Sequence, residues 1–374
     1  MTSCFTLPLV AALIACFLAS PLSARAGLEE EIEGIVIREI RPVMESPGGV
    51  AVAVRARNRT WLFNFGMADT SRPIDSDALF NLGSVGKVFD TVLLALAARQ
   101  GELGLDDPVA KHVVELQHGG DVRSITLRQL ATYTSGFVLP QDHAPWPRET
   151  FTLPQFLAVL NAWTVDPAHT PGRQVIYSHA GFMLLHLALE RRFATPFDAL
   201  MRSRVLAPLG LFSTSLPVAS DDAERNPRGE IPPDLVRRAV QGYWYDGTPI
   251  GAPGDLQGYY HWLGTGQMYA SARDMAVLLA ANLGELPDQR PLQEAMRRAQ
   301  QPVFRMGEGA YQAMAWEVHD GDEKVVDKYG GMNNATAYIG LMPGHATGIV
   351  ILGNRGGMAL SGAGRRIMSA LARQ

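Results

Sequence analysis

The 374-residue sequence is nearly without cysteine: its two, Cys4 and Cys16, fall in a short apolar leader, and none follows Gly27. The chain downstream therefore has no thiol nucleophile, no iron-sulfur ligand set and no cysteine zinc site, and its stability needs no disulfide. Histidine is sparse as well. The nine present are scattered, with no His-Glu-x-x-His pair to clasp zinc from one helical face, so a metalloenzyme is disfavoured and neither metal nor cofactor is expected. An excess of one charge sign is also missing. With 33 basic side chains against 37 acidic ones, a net charge of −4 and no long Lys/Arg run, nucleic acid and anionic membrane surfaces are poor partners. What is present is 47% hydrophobic and 19% charged residues, enough for a large core and against intrinsic disorder. The length suits one large domain or two intertwined lobes, and the expected partner is a small-molecule or peptide substrate taken up by a monomer.

Residues 1–26 read as an export signal: Phe5 to Ala19 is mostly apolar, and Ala24-Arg25-Ala26 before Gly27 fits a small-residue cleavage site. An ordinary buried helix or a membrane anchor is the alternative, but the run is short and interrupted by Pro8, a poor fit to a stable span. The reading predicts a periplasmic or secreted protein. No Lys or Arg precedes the apolar run, and Leu13-Ile14-Ala15-Cys16 resembles a lipoprotein cleavage box, so a lipid-anchored form stays open.

Beyond the leader, Leu28, Ile32, Ile35, Val36 and Ile40 recur at helical spacing up to Pro42. Gly49 to Ala56 and Thr60 to Phe65 read as two strands of a hairpin joined by Arg57-Asn58-Arg59. Helical patterns follow over Lys87–Arg99, Leu127–Thr132, Leu153–Trp163, Ala180–Arg192 and Phe197–Val205, with few strands visible among them. Strand character returns in Lys324–Tyr329, Ala335–Met342 and Gly348–Leu352, before a final helix around Leu360–Ala372. Asp221 to Pro233 reads as a surface loop, and Gly264-Thr265-Gly266 and Gly307-Glu308-Gly309 as turns. The economical architecture is α/β (α+β): one antiparallel sheet built from both chain ends and flanked by the terminal helices. The expected division is a sheet lobe (27–80 and 265–374) and a mostly helical lobe (81–264), with a site in the cleft between them.

Lysine is scarce too: Lys87, Lys111, Lys324 and Lys328 are all there are. A desolvated lysine can give up its proton and act as a base where arginine cannot. Lys87 stands in Asn81-Leu82-Gly83-Ser84-Val85-Gly86-Lys87. If Ser84 opens the helix that follows, an offset of three puts its hydroxyl and the Lys87 amine on one face. The free N–H groups and positive dipole end of a helix N-terminus suit a nucleophilic oxygen and a developing oxyanion. Alone, the pair reads equally as a helix cap followed by a surface lysine. A Gly-x-Ser-x-Gly elbow is absent, since position 82 is Leu, and Val88 after Lys87 rules out a phosphate-cradling loop.

Phe80 to Lys87 resembles the nucleophile segment of class C β-lactamases and related penicillin-recognising serine hydrolases, and the resemblance recurs in order. Ile125 to Gly136 (ITLRQLATYTSG) is similar to the family's second helix and the loop after it. Pro171 to His179 (PGRQVIYSH) is similar to its tyrosine motif. Val205 to Leu211, and then Tyr311 to Glu317 leading to Lys328-Tyr329-Gly330-Gly331, complete the series. The resemblance covers nearly the whole chain after the leader and implies a β-lactamase/transpeptidase-like fold. It also implies that Ser84 attacks a carbonyl, that Lys87 helps remove its proton, and that Tyr177 relays the proton to the leaving group and later activates the deacylating water. Lys87 and Lys328 would supply the cationic surroundings a phenolate needs, and the N–H groups of Ser84 and Gly331 an oxyanion hole.

Recognition departs from the pattern. Gln141 holds the spacing at which the family grips an acyl-amide side chain, or is simply a loop residue. Lys328 could hold a substrate carboxylate, but the usual Lys-Thr-Gly reads Lys-Tyr-Gly here, and the usual Tyr-x-Asn reads Tyr177-Ser178-His179. His179 is either a replacement hydrogen-bond donor or a packed helix-start histidine. The leading expectation is a class C-type serine β-lactamase acting through an acyl-enzyme on Ser84. A carboxylesterase or D-amino-acid peptidase of the same fold is the runner-up, and a non-turnover penicillin-binding sensor a third reading.

Overall fold

The computed structural model of the protein describes residues 21–139, 142, 153–216, 231–254 and 268–373, with side chains from residue 27 onward. The chain opens with α1 (Pro21–Ile40) and the hairpin of β1 (Gly49–Ala56) and β2 (Arg59–Gly66). Arg57 and Asn58 both take positive φ, 50° and 57°, as a two-residue turn matched to the twist of a hairpin requires. Short strand β3 (Leu79–Asn81) leads through a 3-10 turn at Gly83–Val85 into α2 (Gly86–Arg99). The central region holds α3 (Leu127–Ala131), α4 (Leu153–Ala162), α5 (His179–Phe193), α6 (Phe197–Met201), α7 (Ala207–Leu209) and α8 (Pro233–Val236). Strands β4 (Gly242–Tyr243), β5 (Pro249–Ile250) and β6 (Tyr269–Ser271) precede α9 (Ala272–Asn282) and α10 (Arg290–Ala299). The chain finishes with β7 (Phe304–Gly307), β8 (Ala310–Gln312), β9 (Glu317–Asp320), β10 (Lys324–Met332), β11 (Ala335–Met342), β12 (Thr347–Gly353) and α11 (Leu360–Ala372).

Eight strands form one sheet in the order β2-β1-β12-β11-β10-β9-β8-β7, with every neighbouring pair antiparallel. The two chain ends meet inside it, Val52 lying opposite Ile351. Side chains alternate across the pleat. Val50, Val52, Val54, Ile349 and Ile351 face Ile32, Val36 and Ile40 of α1 and Leu360, Ile367 and Met368 of α11. Ala51, Ala53, Val350, Leu352 and Ile339 face the other way, into the core shared with α2, α5 and α9. Each fully buried aliphatic side chain contributes about 1.5–3 kcal/mol, so both faces of the sheet are firmly held.

The hairpin, the last three strands and the final helix match the sequence reading closely, and the antiparallel sheet with flanking terminal helices is as expected. Strands β7, β8 and β9 were not anticipated. At three or four residues each they are too short to show a two-residue period, and Ala315 with φ 61° breaks the chain between β8 and β9. The Gly307–Gly309 turn joins β7 to β8 as read, Gly309 at φ 61°. Of the leader, residues 1–20 lie outside the described residues, as do 221–230 of the predicted surface loop and the Gly264–Gly266 turn. No helix among the described residues is long and apolar enough to cross a membrane.

One feature of the sheet positions the site. β9 pairs with β10 only from Lys324 to Asp327, whereas β11 accompanies β10 as far as Met332. Lys328 to Met332 therefore have a strand on one side only, and the Gly83–Val85 turn packs on the sheet face that Gly330 presents.

Candidate active site

The approach of that turn to the strand is set by glycine. A methyl group on Gly330 would lie 2.3 Å from the Leu82 carbonyl oxygen and 3.0 Å from the Ser84 nitrogen, and one on Gly83 would lie 3.1 Å from the Gly331 nitrogen. Gly83 also takes the left-handed φ of 49° and donates its N–H to Asn81 Oδ1 at 2.9 Å. The backbone of the serine turn and that of β10 at Gly330 thus come together at a spacing no residue with a Cβ permits. Ser84 sits in the 3-10 turn just ahead of α2 rather than opening that helix, and Lys87 is the second helical residue. Gly330→Ala is expected to leave the fold in place, by circular dichroism, and to slow acylation of Ser84 roughly 100-fold, the scale of an ångström-sized misplacement; wild-type acylation would show that the close approach is not needed.

Ser84 Oγ lies 2.5 Å from the Tyr177 hydroxyl oxygen. Lys87 is wholly buried, its ammonium nitrogen 5.4 Å from the Tyr177 ring centre and 5.5 Å from that of Phe182, with no acceptor of regular geometry among the described residues. Lys328 is 5% exposed, and its nitrogen stands 5.0 Å from the Tyr133 ring centre and 5.1 Å from that of Tyr177. Burial by itself would push the Tyr177 phenol up. The positive charges of Lys87 and Lys328, with the hydrogen bond from Ser84, outweigh it and bring the phenol below its usual value of 10. Burial in turn lowers Lys328, opposed by the Tyr177 phenol. As a residue Tyr177 remains 40% exposed.

Tyr177 is held from both sides along the chain. Ser178 caps α5 by accepting from the Gly181 N–H at 2.9 Å, and its hydroxyl donates to Asp142 Oδ2 at 2.9 Å. Asp142 Oδ1 accepts from the N–H groups of His179 (2.6 Å) and Ala180 (3.2 Å). Burial raises the Asp142 carboxyl, and these donors oppose the rise. On the other side, the Ile176 N–H donates to the Tyr133 carbonyl at 2.7 Å.

The structure brings Ser84, Lys87, Tyr177, Lys328, Gly331 and His179 into one region. His179 packs edge-on against Tyr177, ring centres 5.1 Å apart; burial first, then Lys87 and Lys328, keep it well below the usual histidine value, so it carries no charge at neutral pH. Tyr329, 44% exposed, points to the sheet face opposite Lys328, and a methyl group on Gly331 would meet its hydroxyl at 2.9 Å. Its phenol therefore covers Gly331. Gln141 lies outside the described residues. Three contributors went unrecognised in the sequence: Tyr133 and Asp142, which touch the tyrosine segment across long stretches of chain, and Gly330, whose position in the motif was the available signal.

Among the described residues, Glu317, His319 and Asp327 form one group with metal-ligand chemistry, their donor atoms within 4.8 Å of one another. A guanidinium already serves it: Arg365 Nε donates to Asp327 Oδ2 at 2.6 Å and its Nη2 meets His319 Nε2 at 2.8 Å. Tyr338 donates to the same carboxylate at 2.8 Å. The cluster ties α11 and β11 to β10 one residue before Lys328.

Comparison with known proteins places this geometry. The Beta-lactamase family model matches residues 36–373. A β-lactamase of Pseudomonas fluorescens is 27% identical over 363 residues, an alignment spanning 87% of this chain and 94% of that protein. Among solved structures, a D-alanine carboxypeptidase from Burkholderia cenocepacia superposes with a TM-score of 0.76 at 23% identity, covering 91% of this chain and 99% of that one. A class C β-lactamase does so with a TM-score of 0.77 at 22% identity, covering 92% and 97%.

Proposed function

The chain belongs to the beta-lactamase family, and from that premise we propose that it is a serine hydrolase of class C type that opens the amide of β-lactams through an acyl-enzyme on Ser84. The observation that carries the proposal is the 2.5 Å approach of Ser84 Oγ to a Tyr177 phenol flanked by two lysines. In this reading Tyr177, as phenolate, takes the Ser84 proton while the serine oxygen attacks the carbonyl carbon. The N–H groups of Ser84 and Gly331 receive the oxyanion, where preorganised donors stabilise the tetrahedral intermediate more than the ground state. The proton then passes from Tyr177 to the leaving nitrogen as the ring opens. In the second half Tyr177 takes a proton from water as the water oxygen attacks the ester carbonyl, then gives that proton to Ser84 Oγ as the ester C–O bond breaks, freeing the acid and restoring the phenolate. Lys87 and Lys328 favour the phenolate by their charge and draw the phenol below its usual value of 10.

Hydrolysis of D-alanyl peptides or simple esters is the second reading, favoured by Tyr329 over Gly331 and by the carboxypeptidase among the superposed structures. Parallel turnover of nitrocefin, a D-alanyl peptide and p-nitrophenyl acetate separates the two: nitrocefin turned over best supports the first, and peptide or ester turnover without nitrocefin hydrolysis replaces it. A stable adduct with none of the three turned over would mark a sensor. Tyr329→Thr is expected to raise kcat/KM for nitrocefin roughly three- to tenfold, the scale of one regained hydrogen bond, and to leave ester turnover unchanged; an unchanged nitrocefin rate would remove Tyr329 as the recognition defect.

The same reading includes export with removal of residues 1–26, a monomer in solution, a periplasmic or secreted destination, and the division into a sheet lobe and a helical lobe. Gln141 and His179 are proposed to contact the substrate's acyl side. The mass of the exported protein tests the first of these: a chain starting at Gly27 is expected, and one retaining a modified Cys16 would instead indicate the lipid-anchored form.

A further inference from the structure

We propose that Tyr133 is a positioning residue whose ring is the seat that holds the Lys328 ammonium against the Tyr177 phenol. The inference rests on the reading of Tyr177 given above. Tyr133 is 1% exposed, and its ring stacks on Tyr177 with centres 4.7 Å apart and planes at 30°, backed by Phe182 at 5.2 Å. Lys328 Nζ is 5.0 Å from the Tyr133 centre and 5.1 Å from the Tyr177 centre, so the cation lies at the junction of the two stacked rings.

Among the described residues Lys328 makes no ion pair or side-chain hydrogen bond, and the negative charges that favour its ammonium, Tyr177 first and then Glu317 and Asp327, act through space. An aromatic ring attracts an ammonium through its quadrupole, and the Lys328 residue is 5% exposed. Tyr133 is committed to the task by its backbone. It is a bulky residue with φ 56°, a conformation that residues with a Cβ adopt rarely and that concentrates at functional sites. The same residue's carbonyl anchors Ile176, next to Tyr177.

The hydroxyl of Tyr133 has no hydrogen bond of regular geometry among the described residues, though it still interacts with the Tyr177 phenol. Burial, then the neighbouring Tyr177, keep this phenol protonated, well above 10. Two stacked phenols thus meet opposite fates: Tyr177 is drawn toward phenolate and Tyr133 stays neutral, presenting an uncharged ring to the cation. Losing the ring would let Lys328 swing away and leave the Tyr177 phenolate with Lys87 alone.

The test uses rings of constant shape and falling face charge. Phenylalanine, difluorophenylalanine and pentafluorophenylalanine would replace Tyr133 in the full chain, with Tyr133→Leu as the ring-free variant. Two quantities are read for each: the pH dependence of Ser84 acylation by nitrocefin, and the tyrosinate absorbance titration of Tyr177, taken as a difference from the matching Tyr177→Phe protein. Tyr133→Phe, which keeps the ring and removes the oxygen, sets the reference for the fluorinated series. Each step of fluorination should move the acidic limb and the titration to higher pH. Tyr133→Leu should lower acylation at neutral pH roughly tenfold with its acidic limb also displaced upward. Limb and titration that stay fixed across the fluorinated series would overturn the proposal, whatever Tyr133→Leu does to folding. If the wild-type protein forms no acyl-enzyme, the functional reading fails, and the Tyr177 titration across the series still decides the seat: movement upholds it and constancy rejects it.

Discussion

Ser84→Ala is expected to lower kcat for any substrate the protein turns over by roughly 10⁵- to 10⁶-fold, the loss seen when a serine hydrolase is deprived of its nucleophile. The size follows from the lack of a substitute. No cysteine follows Gly27, and the neighbouring hydroxyl, that of Tyr177, is in the position of the base. The fold should survive, because Ser84 contributes its side chain to the cleft and not to the core clusters. Steady-state turnover alongside thermal unfolding checks both halves; turnover within tenfold of wild type in a folded Ser84→Ala protein would remove Ser84 from the mechanism.

Tyr177→Phe carries the second-largest effect. It removes the oxygen 2.5 Å from Ser84 Oγ and keeps the ring that stacks on Tyr133, so the loss reports proton transfer and not packing. General acid–base catalysis by one positioned group is worth about 10²- to 10⁴-fold, and kcat should fall by that much. The sign of the pH dependence follows from the lowered phenol. Activity needs the phenolate, so kcat/KM rises with pH through an acidic limb that lies below 10, the ordinary value for tyrosine. Lys328→Met removes a positive charge that favours the phenolate, and the limb should then move upward. The limb should be missing from the residual activity of Tyr177→Phe. A limb unmoved by Lys328→Met would mean that another group sets it.

The parts of the fold legible in the sequence were those with enough length to show a pattern. β11 and β12 are mostly apolar runs of eight and seven residues, buried at every position, and α11 repeats over three turns, so their bounds could be read directly. β7, β8 and β9 carry too few residues for any period and owe their existence to the neighbour each lies against. The chemistry divides similarly. Ser84 and Lys87 are local to one turn, and Tyr177 and Lys328 sit in recognisable segments. Tyr133 lies within the Ile125 to Gly136 segment, but its role depends on a stacking contact that only the tertiary structure creates. Gly330 shows the same limit: its absence of a side chain matters only because Leu82 and Ser84 arrive against it. Asp142 gains its role by reaching Ser178 and the first turn of α5, a meeting no spacing along the chain announces.

The central claim is that the Ser84 oxygen becomes covalently acylated, and mass mapping tests it most directly. The protein would be mixed with nitrocefin or a slowly released penicillin, quenched in acid within the first turnovers, digested and read by peptide mass. The account predicts the added mass of the opened β-lactam on the peptide containing Ser84, and its disappearance as hydrolysis completes. An adduct on any other residue, or sustained hydrolysis with no adduct at any quench time, would contradict it.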